Sequence, residues 1–173
     1  EQGGAQRIEL FENLHEGGCT PSYGIIKHVK EKIKLPVYVM IRARGGNFVY
    51  TNDELEIMIH DVRICRELGV NGIVFGALHE NGIVNEEACR RILQAWNHGP
   101  ATFHRAIDES NNLLDAAETI INLGFERILT SGGKSNAWEG MEAIAKLQNE
   151  LGNRIEIQAG AGITSENAAA IVA

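Results

Sequence analysis

Short β-rich runs alternate with helical runs along the whole chain, and successive β-rich runs begin about every 30 residues, the size of one βα unit. Several of these runs are almost continuously apolar, among them residues 36–42 and 72–78. Such runs suit strands that are buried on both faces of a parallel sheet. The predicted strands are residues 6–10, 36–42, 72–78, 101–106, 127–131 and 154–158.

Helix start and stop signals lie between these runs. Thr51 and Glu54 have the spacing of a capping box, which predicts a helix that ends at Gly69. Pro21 suits the first turn of a helix that runs from Thr20 to about residue 33. The other predicted helices begin at Asn85 or cover residues 113–123, 137–151 and 164–173.

This order of elements predicts an α/β fold, a TIM-type (β/α) barrel that is incomplete. A full barrel takes roughly 200–250 residues, whereas this chain has 173. We therefore expect residues 1–173 to form one partial barrel domain. Residues 1–4 read as the tail of a helix whose strand is missing, and residues 164–173 as a helix just begun. An open doubly wound sheet is the alternative, and strand order separates the two folds.

Composition and charge exclude several kinds of partner. The formal net charge is −7 and the pI about 5.4, which argues against binding to nucleic acid. No apolar run reaches the ~18 residues of a membrane helix, so we expect no membrane contact. Cys19, Cys65 and Cys89 are far apart and odd in number, which fits reduced thiols in the cytoplasm better than a disulfide framework.

Charged side chains follow several predicted strands, where barrels of this type bind their ligands. Arg42 and Arg44 lie two residues apart and share a face of an extended chain. Paired guanidinium groups suit a carboxylate or a phosphate. The alternative is that one of them forms an ion pair with Glu9 or Glu80 and closes the barrel mouth.

Another polar group follows the fourth predicted strand. His104 and Arg105 are adjacent and would point to opposite faces of a regular strand. His104 shares parity with Asp108, which could orient it for acid–base chemistry, although a structural histidine is an equal alternative. The candidate catalytic residues are Glu9, His104 and Asp108.

Two glycine-rich turns follow the fifth and sixth predicted strands. Ser131-Gly132-Gly133 and Gly160-Ala161-Gly162 resemble cups in which backbone N–H groups hold a phosphate. Tight βα turns without a ligand are the alternative. The candidate residues for binding a ligand anion are Arg42, Arg44, Arg105, Ser131, Gly132, Gly160 and Gly162.

Other chemistries have weaker support. No lysine ends a predicted strand, which disfavours Schiff-base aldol chemistry. The sequence has no closely spaced histidine pair and no Cys-x-x-Cys motif, so no metal site has a local signature. Cys19 is a weak candidate metal ligand, because it is the cysteine nearest to the functional end of a strand.

Six short strings, spread over nearly all of the chain, together carry a family resemblance. They are GAQRIEL (4–10), EGGCTPS (16–22), IRARGG (41–46), TFHRAID (102–108), LTSG (129–132) and AGAGI (159–163). In this order they resemble the CutC family of copper homeostasis proteins. The resemblance implies a cytoplasmic TIM barrel that forms homo-oligomers, is named for copper tolerance and has copper as its ligand. It also implies a barrel strand before Glu1 and another after Ala173.

The chain departs from this family pattern at one position. Family members often carry a cysteine, proposed as a copper ligand, directly after the Arg-Ile-Glu-Leu string, where this chain has Phe11. Two functions stay open. One is copper homeostasis through binding or buffering copper ions. The other is a TIM-barrel enzyme that acts on a small anionic, for instance phosphorylated, substrate at the C-terminal face of the barrel.

Overall fold

A computed structural model describes residues 3–171, which form two compact units. The first unit contains the chain up to Phe75 together with residues 87–101, and the second contains residues 76–86 and the chain from Thr102 onward. The first two residues of the helix tail predicted at 1–4, and the last two of the helix predicted at 164–173, lie outside the described residues.

The first unit is built on three parallel strands in chain order: β1 (Ile8–Leu10), β2 (Val37–Met40) and β3 (Gly72–Phe75). Every residue of β2 and β3 is buried, as their continuous apolar sequences predict. The helices of this unit are α1 (Tyr23–Lys32), α2 (Asn52–Glu67) and, from its second residue, α3 (Glu86–Ala95).

The second unit repeats the pattern. Its parallel strands are the end of β4 (Ala101–Phe103), then β5 (Arg127–Thr130) and β6 (Glu156–Ala159). Its helices are α4 (Leu113–Leu123), α5 (Met141–Leu151) and the short α6 (Ala168–Ile171). In its core the rings of Phe103 and Phe125 meet edge to face, with 5.3 Å between their centroids.

All six predicted strands are present, but one predicted boundary is wrong in a way that matters for the site. β4 ends at Phe103, and a 3₁₀ helix (Arg105–Glu109) follows at once. His104 caps this helix, because its Nδ1 accepts a hydrogen bond of 3.2 Å from the backbone N–H of Ala106. His104 and Arg105 therefore do not alternate along a regular strand.

Helix starts show which local signals are strong. The Thr51–Glu54 capping box of α2 is confirmed, and α4 covers the residues predicted for it. α1 begins at Tyr23 instead of Thr20, because the Ser22 hydroxyl caps it by accepting from the N–H of Ile25. α3 begins one residue after Asn85. α5 begins at residue 141 instead of 137, because residues 138–140 form a turn.

Across residues 3–171, no helix is both long enough and apolar enough to cross a bilayer. The description of residues 1–173 as one partial barrel domain stays a prediction.

One carboxylate in α2 is half-buried. Burial raises the pKa of Asp61 above its usual value, since the charged form loses hydration. Hydrogen bonding to Thr20 and the charge of His60 oppose this shift without cancelling it. The folded state therefore favours protonated Asp61, and its ionisation costs stability as the pH rises through the raised pKa.

We predict that Asp61→Asn stabilises the protein at neutral pH and that this gain disappears below the ordinary aspartate pKa. Asparagine keeps the size and polarity of the side chain and cannot ionise. The measurement is the melting temperature of both proteins between pH 3 and pH 8. Asp53→Asn is the control, because Asp53 lies exposed in the first turn of the same helix. A gain that did not depend on pH would contradict the prediction.

Candidate functional site

Arg42 lies just beyond β2 and links two loops. It is 3% exposed, its Nη1 donates to the backbone carbonyls of Glu16 and Gly18, and its Nη2 donates to that of Gly46. The Phe48 ring lies 4.7 Å from the guanidinium carbon. Arg42 thus fastens the loop after β1 to the loop after β2 through carbonyl oxygens.

Arg44 is also bound by the protein itself. Its Nε donates to Glu54, its Nη1 to the carbonyls of Gly45 and Asn47, and its Nη2 to the carbonyl of Val49 and again to Glu54. All three guanidinium nitrogens therefore have protein acceptors. The pKa of Glu54 is lowered, first by the hydrogen bond from the Thr51 N–H and then by Arg44. Arg44 holds the loop to the start of α2.

Two other candidates of the first unit have local partners. Glu9 forms an ion pair of 3.2 Å with Arg7. Cys19 is buried, and its backbone exchanges two hydrogen bonds with Glu12, of 2.8 and 3.1 Å. The structure gives the thiol of Cys19 no neighbouring group of metal ligands, since no cluster of three or more His, Cys, Asp or Glu side chains suited to a metal occurs among residues 3–171.

The second unit brings its candidates together around Asp108. This carboxylate accepts hydrogen bonds from the Thr130 hydroxyl, from the N–H and hydroxyl of Ser131, from the N–H of Gly133 at 3.0 Å and from Nε of Arg105 at 2.9 Å. The Asp108 side chain is 7% exposed. The aspartate thus joins the 3₁₀ helix after β4 to the turn after β5.

The turn predicted to hold a ligand anion holds the Asp108 carboxylate. Ser131 and Gly133 donate to it, and the N–H of Gly132 donates to the Thr130 hydroxyl at 2.9 Å. Gly132 has a φ of +69°, and a Cβ there would meet the Gly140 carbonyl oxygen at 2.4 Å, so only glycine fits. An external anion has to compete with Asp108 for these donors.

Gly133 belongs to the predicted turn and Thr130 directly precedes it, but neither is among the candidate residues for binding a ligand anion. Their position next to Ser131 and Gly132 is the signal that could have added them to those candidates.

The turn after β6 is similar in backbone but has other partners. Gly160 donates its N–H to the Thr130 carbonyl at 2.9 Å, and the Gly162 carbonyl accepts from the side-chain amide of Asn167. Ala161 and Gly162 both have a φ of +70°. The helix that follows, α6, begins at Ala168 and not at Thr164 as predicted.

Arg105 differs from the other two arginines. Its Nε donates to Asp108 and its Nη2 to the Ser131 hydroxyl and the Lys134 carbonyl. Its Nη1 has no acceptor among the described residues, and the side chain is 39% exposed. The guanidinium is therefore fixed on one edge and open on the other, as a group that binds a carboxylate or phosphate oxygen would be.

His104 lies beside this cluster and is 3% exposed. Because its Nδ1 accepts from the Ala106 N–H, the ring proton of the neutral imidazole is on Nε2. Gly76 is close enough that an added Cβ would meet Nδ1 at 2.8 Å. His104 thus shapes the turn that carries Arg105 and Asp108.

These parts define a class of protein. The described residues contain six strands that alternate with helices, which is the scaffold of a TIM-type barrel. The Arg105–Asp108–Ser131 cluster lies where β4 and β5 end. The chain belongs to the CutC family, whose model matches residues 1–173.

Curated relatives agree with this assignment. The chain is 46% identical over 167 residues to the human protein named "Copper homeostasis protein cutC homolog" and 45% identical over 167 residues to a CutC family protein of Xylella fastidiosa. These alignments cover 96% of this chain, but only 61% and 62% of the two relatives. The chain therefore spans less than two thirds of their length.

Solved structures confirm the fold. A CutC crystal structure from Streptococcus agalactiae matches with a TM-score of 0.94 at 38% identity, covering 99% of this chain and 85% of the other. An aldolase matches with a TM-score of 0.65 at 15% identity, covering 87% and 70% of the two chains. At that identity the aldolase shares the fold alone. The incomplete TIM-type barrel is confirmed, and the open doubly wound sheet is excluded.

We predict that His104→Asn lowers the free energy of unfolding less than His104→Gln does. The Oδ1 atom of asparagine takes the place of Nδ1 and can accept from the Ala106 N–H, whereas glutamine places its oxygen near the position of Nε2. Loss of a helix N-cap costs about 1 kcal/mol, so the two variants should differ by about that amount in urea unfolding. Equal losses in both variants would show that the cap is not what His104 contributes.

Proposed function

We propose that this chain binds a small carboxylate or phosphate at the carboxyl ends of β4 and β5, as the substrate site of a TIM-barrel enzyme. The observation that carries the proposal is the open edge of Arg105. Its Nε and Nη2 are held by Asp108 and Ser131, while Nη1 has no acceptor among the described residues. A guanidinium fixed in this way loses little side-chain conformational entropy when it binds an anion.

Among the candidate arginines, the hydrogen bonds favour Arg105 for this role. Arg44 donates from every guanidinium nitrogen to protein acceptors, and Arg42 is almost fully buried. Ligand binding by Arg42, Arg44, Gly160 and Gly162 stays a prediction. For Ser131 and Gly132 we propose an indirect part, which is to hold Arg105 and Asp108 in place.

His104 and Asp108 are the proposed residues nearest to a bound anion. Asp108 accepts from two backbone N–H groups, two hydroxyls and Arg105. Those bonds hold the side chain in one position and suit it to orienting Arg105. His104 stays the proposed residue for acid–base chemistry in this cluster. Glu9 remains the third candidate catalytic residue.

The test is a titration with inorganic phosphate followed by calorimetry. We predict that Arg105→Ala weakens phosphate binding about tenfold or more, as expected when one charged hydrogen-bonding partner is lost. The fold should persist, because Asp108 keeps the donors from Thr130, Ser131 and Gly133.

The control is Arg154→Ala, which removes an exposed arginine paired with Glu118 at 2.7 Å. It should leave the phosphate affinity unchanged. If Arg105→Ala and Arg154→Ala bind phosphate equally well, the proposed site is wrong.

A part in copper homeostasis, through binding or buffering copper ions, is the second candidate function. It is favoured by the names of the human and mouse relatives, which are 46% identical to this chain. Cu(I) prefers thiolate ligands, and Cys19 is the proposed ligand. Cys65 is a poorer one, because burial, and to a lesser degree the charge of Asp61, raise the pKa of its thiol to about 12. With this role we propose a cytoplasmic location and a homo-oligomer. Cys19, Cys65 and Cys89 form no disulfide, which fits a reducing compartment.

Competition with a Cu(I) chelator tests the copper proposal. We expect the protein to withdraw Cu(I) from the chelator and Cys19→Ala to lose most of that capacity. Cys89→Ala is the matched control, since Cys89 is a fully buried thiol on α3. Failure of the parent protein to compete would rule out direct copper binding by this chain.

A further inference from the structure

A cleft of about 450 Å³ lies between α2 and α3 in the first unit, and the proposed function does not use it. Two contacts bring these helices together beside the cleft. Arg91 of α3 donates to the Glu56 carboxylate of α2, and Arg66 of α2 donates to the Ala95 carbonyl at the end of α3, at 2.8 Å. The side chains that line the cleft include Glu56, Ile59, Arg63, Arg66, Arg91 and Gln94.

The charges in this cleft do not balance. Three arginines and one carboxylate line the cleft. The carboxylate is that of Glu56, and it is paired with Arg91. Arg66 has a carbonyl as its partner, so its charge is not neutralised. Arg63 is exposed and has no acceptor among the described residues, and Glu67, four residues further along α2, is not within ion-pair distance of it. The cleft is therefore positive on a chain whose net charge is −7.

The spacing of the unneutralised arginines makes this arrangement suited to an anion. Arg63 and Arg66 are three residues apart, so their side chains are neighbours on the same face of α2. Like charges at this spacing destabilise a helix unless a counter-charge lies between them. Guanidinium groups bind phosphate oxygens through paired hydrogen bonds. An open cleft of this volume has room for a small molecule.

We propose that this cleft is a second anion site, which takes a phosphorylated small molecule between Arg63 and Arg66. Arg91 is the third cationic group, and its pairing with Glu56 limits the affinity. Removal of the Glu56 charge frees Arg91 and should therefore tighten binding, whereas loss of Arg63 or Arg66 should weaken it.

The experiment is a calorimetric titration with inorganic pyrophosphate, which carries two linked anionic groups, at an ionic strength near 0.1 M. We expect Arg63→Gln and Arg66→Gln each to weaken binding at least fivefold and Glu56→Gln to strengthen it severalfold. Arg63→Gln is the safest variant for folding, because this side chain makes no hydrogen bond with the described residues. Glu67→Gln is the matched control for Glu56→Gln. It makes the same change of charge on the same helix, but Glu67 is not among the residues that line the cleft.

Two further comparisons separate the possible outcomes. Binding in the cleft must persist in Arg105→Ala; its disappearance there would assign all pyrophosphate binding to the strand-end site and overturn this proposal alone. Equal strengthening by Glu56→Gln and Glu67→Gln would show a general effect of net charge and would also overturn it. If Arg105→Ala binds phosphate as tightly as the parent protein while Arg63→Gln and Arg66→Gln still weaken pyrophosphate binding, the proposed function is refuted and this inference stands.

Discussion

The carboxylate of Asp108 organises the strand ends of the second unit. It accepts from groups that lie as far as 25 residues away in sequence, and these donors belong to three segments: the 3₁₀ helix after β4, the end of β5 and the turn that follows β5. A hydrogen bond to a charged group contributes roughly 1.5–3 kcal/mol, and a buried N–H without an acceptor is costly. Asp108 therefore fixes the turn and, through the same oxygens, orients Arg105.

In the first unit, cationic side chains hold the loops that follow the strands. Its loops after β1 and β2 present carbonyl oxygens, and Arg42 and Arg44 satisfy them from within the protein. In both units a charged side chain makes the hydrogen bonds that water would otherwise make with the loop backbone. This explains why charged residues crowd the strand ends and why only some of them are open to a ligand. Among the candidate arginines, Arg105 combines a held edge with an open one.

Much of the fold could be predicted from the sequence because its signals are local. The Thr51–Glu54 capping box acts over three residues, and Gly124, which ends α4 with a φ of +89°, acts at one. The error at β4 has a different origin. The predicted strand continues past Phe103 to Ala106, but the His104 side chain accepts from the Ala106 N–H and turns the backbone into a 3₁₀ helix. A side chain that competes with strand geometry in this way leaves no mark in a hydropathy pattern.

The candidate site could be nominated from residue types, but the partners within it could not. Arg44 binds Glu54 ten residues further on, and Asp108 binds Ser131 across 23. Such pairings depend on how the loops fold back. Without them, Ser131 and Gly132 look like donors for a ligand, and Arg105 looks no different from Arg42.

The most direct test is an NMR titration with inorganic phosphate that follows the Arg105 side chain together with the backbone amides of Ser131 and Gly133. If Asp108 fills the turn and leaves Arg105 open, the Arg105 guanidinium signals shift with phosphate while both amides keep their chemical shifts and their slow hydrogen exchange. Large shifts and faster exchange at Ser131 and Gly133, with Arg105 unchanged, would show that phosphate displaces Asp108 and would contradict this account.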